Sequence, residues 1–417
     1  MNVERQVCEE LDRLWKLCGG GTGLGVAVSG GGDSTALVLI AQVWAAQRGV
    51  ALHAASVDHG LRAEAAEEVA RVAALCAARA IAHETLKWDG WDGTGNLQDA
   101  ARRARYGLLA GWAAERGIGA VALGHTMDDQ AETVLMRLGR GSGVDGLSAM
   151  APMRLQQGIH WLRPMLGIRR EALRRHLAER GVGWAEDPSN EELRYERVRV
   201  RRALRHLEAS GVTVEGLART ASRMRAARRV LEQAMQQAAR EIATVRLGSV
   251  VIGRAAFGGL EAETRRRLLV HALNWVSGHE YPPRSRPLED AEKAIGAGRT
   301  TSLHGCLVVS FRGLVVICRE AGAVADRHAA PGEIWDGRWL VTGPRDERAR
   351  IAPLGEKGLA ECPGWRDLGL PREALVSLPA VWKGAELAAA PLLALSSEWQ
   401  ARLVAGEDDF FTSALSH

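Results

Sequence analysis

The chain has 417 residues, 47% of them apolar, which suits two or three domains with real cores and excludes a disordered or fibrous protein. It has no apolar run of the ~18 residues that a membrane helix needs, and Met1 to Leu17 reads as a charged amphipathic helix and not as a signal peptide, so a cytoplasmic protein with no membrane partner is expected. The formal net charge of +4 is unevenly placed, because Arg163 to Arg229 holds 17 Arg against 9 Asp and Glu. A solvated arginine-rich helix face would account for such a patch; a bound polyanion would use it.

In chain order, apolar strands are predicted at Gly25–Val28, Ala51–Val57, Ala82–Leu86 and Ala120–Leu123. They alternate with helical patterns at Thr35–Gln47, Ala63–Ala80, Leu97–Arg116 and Asp128–Leu138. This is the βαβ signature of an α/β fold, an N-terminal Rossmann-like parallel sheet, followed by helical and small α+β C-terminal domains. From about Ile168 the pattern turns helical, at Arg169–Gly181, Glu191–Leu207 and Val214–Arg240, with a soft break at Ser210–Gly211. The expected domains are 1–210, catalytic; 211–322, helical and α+β and RNA-binding; and 333–417, β-rich and suspected of touching RNA. The middle one carries helices at Ala262–Val276 and Glu289–Ile295 and a hairpin whose strands, Leu307–Ser310 and Leu314–Cys318, flank Phe311-Arg312-Gly313. An Ala/Gly linker is read at Ala321–Gly332. Six scattered cysteines form no CxxC pair, which argues for buried free thiols over a disulfide framework, zinc ribbon or iron–sulfur cluster.

The most informative run is Ser29-Gly30-Gly31-Gly32-Asp33-Ser34, set between the first strand and an apolar helix. Successive glycine amides can turn toward one anion there, and the helix start adds its dipole. The run lacks the Lys of a Walker loop and the spacing of GxGxxG. It resembles the SGGxDS signature of the PP-loop ATP pyrophosphatases, which cut ATP between its α and β phosphates. A flexible glycine linker is the plain alternative, disfavoured by the strand and helix that frame it. Asp58-His59-Gly60-Leu61-Arg62 and Gly124 to Asp129 emerge at the same sheet end, where ligands of such sheets bind. Asn96, with Asp99 three residues on, is a candidate helix cap, and Arg102, Arg105 and Tyr106 share neighbouring faces beyond it. With a helix starting near Thr126, His125, Asp129 and Glu132 fall along one face, able to hold Mg²⁺, bind an amine or act as bases. Arg140 opens a Gly-rich loop, Glu186 to Asn190 form a turn with Asn190 as a cap, and Arg197, Arg199 and Arg201 alternate further on as candidates for phosphate binding.

Taken in order, these blocks, together with Leu138 to Gly146 and Arg163-Pro164, resemble the tRNA(Ile)-lysidine synthetases over the first half of the chain. One departure is Val198, where that family usually has Asn between two Arg. The resemblance implies ATP and Mg²⁺ as cofactors, and as substrates free lysine and an isoleucine tRNA with a CAU anticodon, whose wobble cytidine is adenylated and then joined to lysine at carbon 2. It implies an ATP cradle at Ser29 to Ser34, catalytic roles for Asp33, Arg105, His125, Asp129 and Glu132, Asp33 as the Mg²⁺ ligand, and tRNA or phosphate contacts at Arg102, Arg140, Arg197, Arg199 and Arg201. A homodimer and a monomer are both open. Two rival readings are a PP-loop tRNA thiolase, which carries cysteine pairs or a catalytic cysteine, and a non-catalytic tRNA-binding protein on a nucleotide-binding fold.

Overall fold

The computed structural model describes the whole chain except residues 1, 61–62, 89, 92–96, 186–193, 195, 280, 397 and 414–417, and the side chains of 63–66 and 98–99. Leu61, Arg62, the proposed Asn96–Asp99 cap and the Glu186 to Asn190 turn therefore lie outside the described residues.

Two compact units divide the chain, Met1–Arg228 and Arg229–His417. In the first, α1 (Val3–Leu17) begins at Asn2, whose side chain accepts the Glu4 amide at 3.0 Å. Next come β1 (Gly23–Ala27), α2 (Gly32–Arg48), β2 (Ala51–Asp58), α3 (Ala63–Ala77), β3 (Ala82–Lys87), α4 (Leu97–Glu115), β4 (Ala120–Leu123) and α5 (Met127–Gly139). After the short α6 (Val144–Leu147) come β5 (Met153–Gln156), β6 (Ile159–Leu162), α7 (Arg170–Ala178), α8 (Glu196–Glu208) and α9 (Val214–Ile242), which runs on into the second unit. The expected strands and helices of the sheet are present, shifted at their ends by a few residues.

The sheet order is β3-β2-β1-β4-β6-β5, parallel except for the antiparallel edge strand β5. Helices cover both faces, so every residue of β1 and β4 is buried and both read as unbroken apolar runs. One face packs Leu11, Leu14, Leu37, Ile40, Trp44 and Leu173 into a single cluster; the other packs Leu109, Trp112, Val121 and Trp161. The order reverses between β1 and β4, which opens a crevice at their carboxyl ends. The β5–β6 hairpin is absent from the sequence reading. Its four-residue strands are too short to show periodicity, and its turn, Gln157-Gly158, with φ of 54° and 74°, is not one of the common Asn-Gly or Asp-Gly pairs.

The second unit contains β7 (Ala243–Arg246), β8 (Ser249–Gly253), α10 (Arg254–Gly259), α11 (Ala262–Ser277), α12 (Ser285–Gly296), β9 (Thr301–Leu303), β10 (Cys306–Phe311) and β11 (Leu314–Arg319). Its sheet runs β7-β8-β11-β10-β9, and the predicted hairpin closes through Arg312 and Gly313 at φ of 48° and 79°. Beyond it two three-stranded sheets form the β-rich end. The Ala321–Gly332 stretch differs from a plain linker: it holds a short helix, α13 (Ala321–Val324), with Val324 fully buried, and Ala329 bridges to Ile351. Among the described residues no helix is long and apolar enough to cross a membrane. All six cysteines are free.

Leu37 is fully buried between sheet and helices, so Leu37→Ala should lower the stability of the first unit by about 2–5 kcal/mol, seen as a lower urea midpoint.

Candidate active site

The chain leaves β1 still bound to its neighbour, with the Val28 amide donating to the Ala55 carbonyl at 2.8 Å. It then turns through Gly30 at φ +83°, a conformation that an L side chain resists, and enters α2 at Gly32 with Asp33 in its first turn. The Ser34 hydroxyl accepts the Ser29 amide at 3.1 Å and donates to the Gly31 carbonyl at 3.1 Å, while the Ala185 amide donates to the Gly30 carbonyl at 2.9 Å. A linker would not be held from three sides. The loop after β4 presses on the same turn: a Cβ on Gly124 would stand 3.0 Å from the Ser34 Cα, so any side chain there would have to displace backbone. The result is a fixed concave run of backbone at a helix N-terminus, suited to a phosphate.

Beside it, α5 starts at Met127 with Thr126 as N-cap, which leaves His125 outside the helix. Asp129 closes a capping box: its Oδ2 accepts the Thr126 amide and hydroxyl, both at 2.8 Å. Its other oxygen, Oδ1, accepts Nη2 of Arg170 at 3.0 Å. The same guanidinium donates through Nε to Asp33 Oδ2 at 2.9 Å and stands 3.5 Å from Glu132 Oε1. Glu132 is almost fully buried and also accepts Arg201 Nε at 2.8 Å. Asp33 Oδ1 and Glu132 Oε2 are buried without a hydrogen-bond partner. Two carboxylate oxygens of the cluster are thus left unshared.

Burial alone disfavours ionised Asp129, but Arg170, His125 and the two Thr126 donors outweigh it and hold its carboxyl below the usual range. At Asp33 burial wins over Arg170 and the pKa is raised, with Asp129 adding repulsion. A divalent cation fits that oxygen: Mg²⁺ is commonly held by one or two carboxylates together with substrate phosphates, and Asp33 Oδ1 offers an unshared position at the cradle. No cluster of three or more ligating side chains occurs among the described residues, so the phosphates would complete the shell.

The surroundings of His125 are cationic. Tyr106 lies edge-to-face on Trp161 at 4.7 Å with the Arg102 guanidinium 5.2 Å from its ring centre. Burial raises the phenol's pKa, yet Arg163 and Arg102 overcome this and lower it. Burial also lowers the pKa of Arg105 and Arg163. For His125, burial together with Arg163, Arg105 and Arg197 lowers the pKa to about 3, so the imidazole is neutral at neutral pH, and its Nδ1 is buried without a partner.

The basic stretch divides in two. Arg163, Arg170, Arg201 and Arg225 turn inward; Arg225 donates to the Met150 carbonyl at 2.8 Å, and Arg201 serves Glu132. Arg197, Arg199, Arg202, Arg205, Arg219 and Arg223 are exposed, Arg199 donating to the Arg194 carbonyl, and Arg140 pairs with Glu196. Arg170 is the residue that sequence reasoning missed. It stands in an unremarkable Arg169-Arg170 pair, and nothing local marks it.

A PP-loop domain model matches residues 3–208. The tRNA(Ile)-lysidine synthase of Ruegeria pomeroyi is 49% identical over 396 residues, 94% of each chain, and that of Mesorhizobium japonicum is 37% identical over 86% of this chain and 82% of its own. The chain belongs to the tRNA(Ile)-lysidine synthase family. Among solved structures, a U34-tRNA thiolase from Methanococcus maripaludis matches 53% of this chain and 76% of its own, at 18% identity and a TM-score of 0.45. The matched PP-loop domain lies within the first unit.

Because His125 stays neutral when folded but takes up a proton when unfolded near its ordinary 6.5, stability falls as the pH drops from about 6.5 toward 3. His125→Gln should reduce the loss between pH 7 and pH 5 by about 2 kcal/mol, measured by urea unfolding at both pH values.

Proposed function

We propose that this enzyme ligates free lysine to carbon 2 of the wobble cytidine in the CAU anticodon of isoleucine tRNA, in the cytoplasm, consuming ATP to AMP and pyrophosphate. The observation that carries this reading is the meeting, in one crevice, of an anion cradle at Ser29 to Ser34 with the buried carboxylates of Asp33, Asp129 and Glu132. ATP would lie with its β and γ phosphates in the cradle, and Asp33 would hold a Mg²⁺ that neutralises phosphate charge. The carbon 2 oxygen of cytosine attacks the α-phosphate, pyrophosphate leaves, and the adenylated base becomes an electrophile. The lysine amine then adds at carbon 2 and AMP departs with the former base oxygen.

The hydrogen bonding supports different roles for the acids. An amine of pKa ~10.4 arrives protonated and must lose a proton before it attacks. Asp129, with three donors on two oxygens and a lowered pKa, is a poor base but a good counter-ion for ammonium. Glu132 keeps Oε2 open, which suits it to accept the proton. Arg105 and Arg163 face the developing phosphate charge, and neutral His125 offers a hydrogen bond without adding repulsion. The exposed arginines, Arg197, Arg199, Arg202 and Arg205 of α8 with Arg219 and Arg223 of α9, grip tRNA phosphates while the anticodon bases are splayed out and read. A thiolase needs reactive thiolates, whereas burial pushes Cys306 up to about 12 and raises Cys76, Cys318 and Cys362 as well.

Incubation with labelled lysine, ATP and isoleucine tRNA should release AMP in step with lysine incorporation; sulfur transfer, or tRNA binding without ATP turnover, would overturn the reading. Asp129→Asn, which retains an acceptor for the cap, should keep tRNA affinity and lose about 10²-fold or more in ligation rate. The tRNA affinity should fall steeply between 50 and ~200 mM salt, and a flat response would remove the arginine face from the binding surface.

A further inference from the structure

Arg170 stands where the lysine ammonium has to go. Its Nη2 is 3.0 Å from Asp129 Oδ1 and its Nη1 is 3.5 Å from Glu132 Oε1, while its Nε reaches Asp33 Oδ2 at 2.9 Å. The guanidinium is largely buried, and a second cation beside the same oxygens would face it at a few ångströms with little water to screen the repulsion. Resting on the assignment of Asp129 and Glu132 as the ammonium site, this means that lysine and Arg170 compete for the same two carboxylates.

The arginine has an alternative partner. Asp33 belongs to the first turn of α2, the turn that forms the anion cradle, so a bound triphosphate places anionic oxygens beside a guanidinium already at that carboxylate. A planar guanidinium suits phosphate oxygens, which it can bind in pairs. The Arg170 backbone amide donates to Asp128 Oδ2 at 2.8 Å, so the start of α7 stays anchored when the side chain moves. Glu132 keeps Arg201 on Oε1 throughout, and Arg174 adds positive charge near Asp33.

We propose that Arg170 is a positioning latch that couples the two small substrates: without nucleotide it occupies the carboxylates meant for lysine, and the phosphates of bound ATP draw it away and open them. Lysine therefore binds the ATP-loaded enzyme in preference to the empty one. By linkage, lysine tightens ATP binding by the same factor.

Calorimetric titration of the full chain with lysine, with and without Mg²⁺ and α,β-methylene-ATP, tests this directly. Wild type should bind lysine about tenfold or more tightly with the analogue present. Arg170→Gln should bind lysine without the analogue nearly as well as loaded wild type does, lose most of the coupling and bind the analogue more weakly. Arg170→Lys keeps a charge on a shorter, non-planar head and should retain an intermediate coupling, which also serves if the glutamine variant folds poorly by circular dichroism. Equal lysine affinity of wild type with and without the analogue overturns the latch alone, as does undiminished coupling in both variants. Absence of lysine binding to wild type in every state, with tRNA and analogue added, overturns the ammonium-site assignment and the latch with it.

Discussion

Three carboxylates are brought together at the mouth of a parallel sheet, and the guanidinium of Arg170 is what makes that concentration of negative charge tolerable. Buried acids repel one another and lose hydration, so without a cation among them one or more would take up a proton. Arg170 arrives from α7, Asp33 from α2, and Asp129 and Glu132 from α5. One side chain thus ties three helices to the end of the sheet. The interaction is electrostatic, yet its effect is architectural, because it sets where the first turns of α2 and α5 lie relative to each other. Gly124 completes that placement by allowing the loop after β4 to rest on the backbone of Ser34.

The crevice is polar in the literal sense. Its acidic side is formed by Asp33, Asp129 and Glu132, and its cationic side by Arg102, Arg105 and Arg163 around Tyr106 and His125. Residues four apart serve both sides, His125 before the start of α5 standing near the arginines and Asp129 in its first turn bonded to Arg170. Each group's titration follows from this division. The imidazole is driven neutral by burial among cations, and Asp129 is kept ionised by donors that outweigh its burial. A reaction that joins an amine arriving as a cation to a base activated through an anionic adenylate draws on both kinds of charge.

Much of this was legible in the residues, and what was not has physical reasons. The glycine run, its flanking strand and helix, and the His125 to Glu132 block are local patterns, and they stand where the βαβ reading places them. Asp129 as a capping residue was also there to be read, because Thr126 and Asp129 have the spacing of a capping box. The β5–β6 hairpin escaped because four-residue strands show no period. Arg170 escaped for a deeper reason: its partners lie 137, 41 and 38 residues away, and no window of sequence contains them. Composition likewise located the arginine-rich stretch without telling that Arg201 turns in to Glu132 while Arg197, one helical turn earlier, stays exposed.

That last distinction bears on how one helix serves two ends. In α8, Arg197 and Arg201 are one turn apart, near enough to share a face, but Arg201 is drawn inward by a buried carboxylate that has no other full-strength partner on Oε1. The helix is therefore anchored to the acid cluster by one arginine while its other arginines remain at the surface. The inner side of the helix also carries Leu204, which packs with Ala131 of α5 and with Val214, so α8 rests on the helix that bears Glu132 through an apolar contact as well as the ion pair. One helix can therefore keep a buried ion pair and a row of solvent-facing cations, because residues a turn or less apart meet different partners.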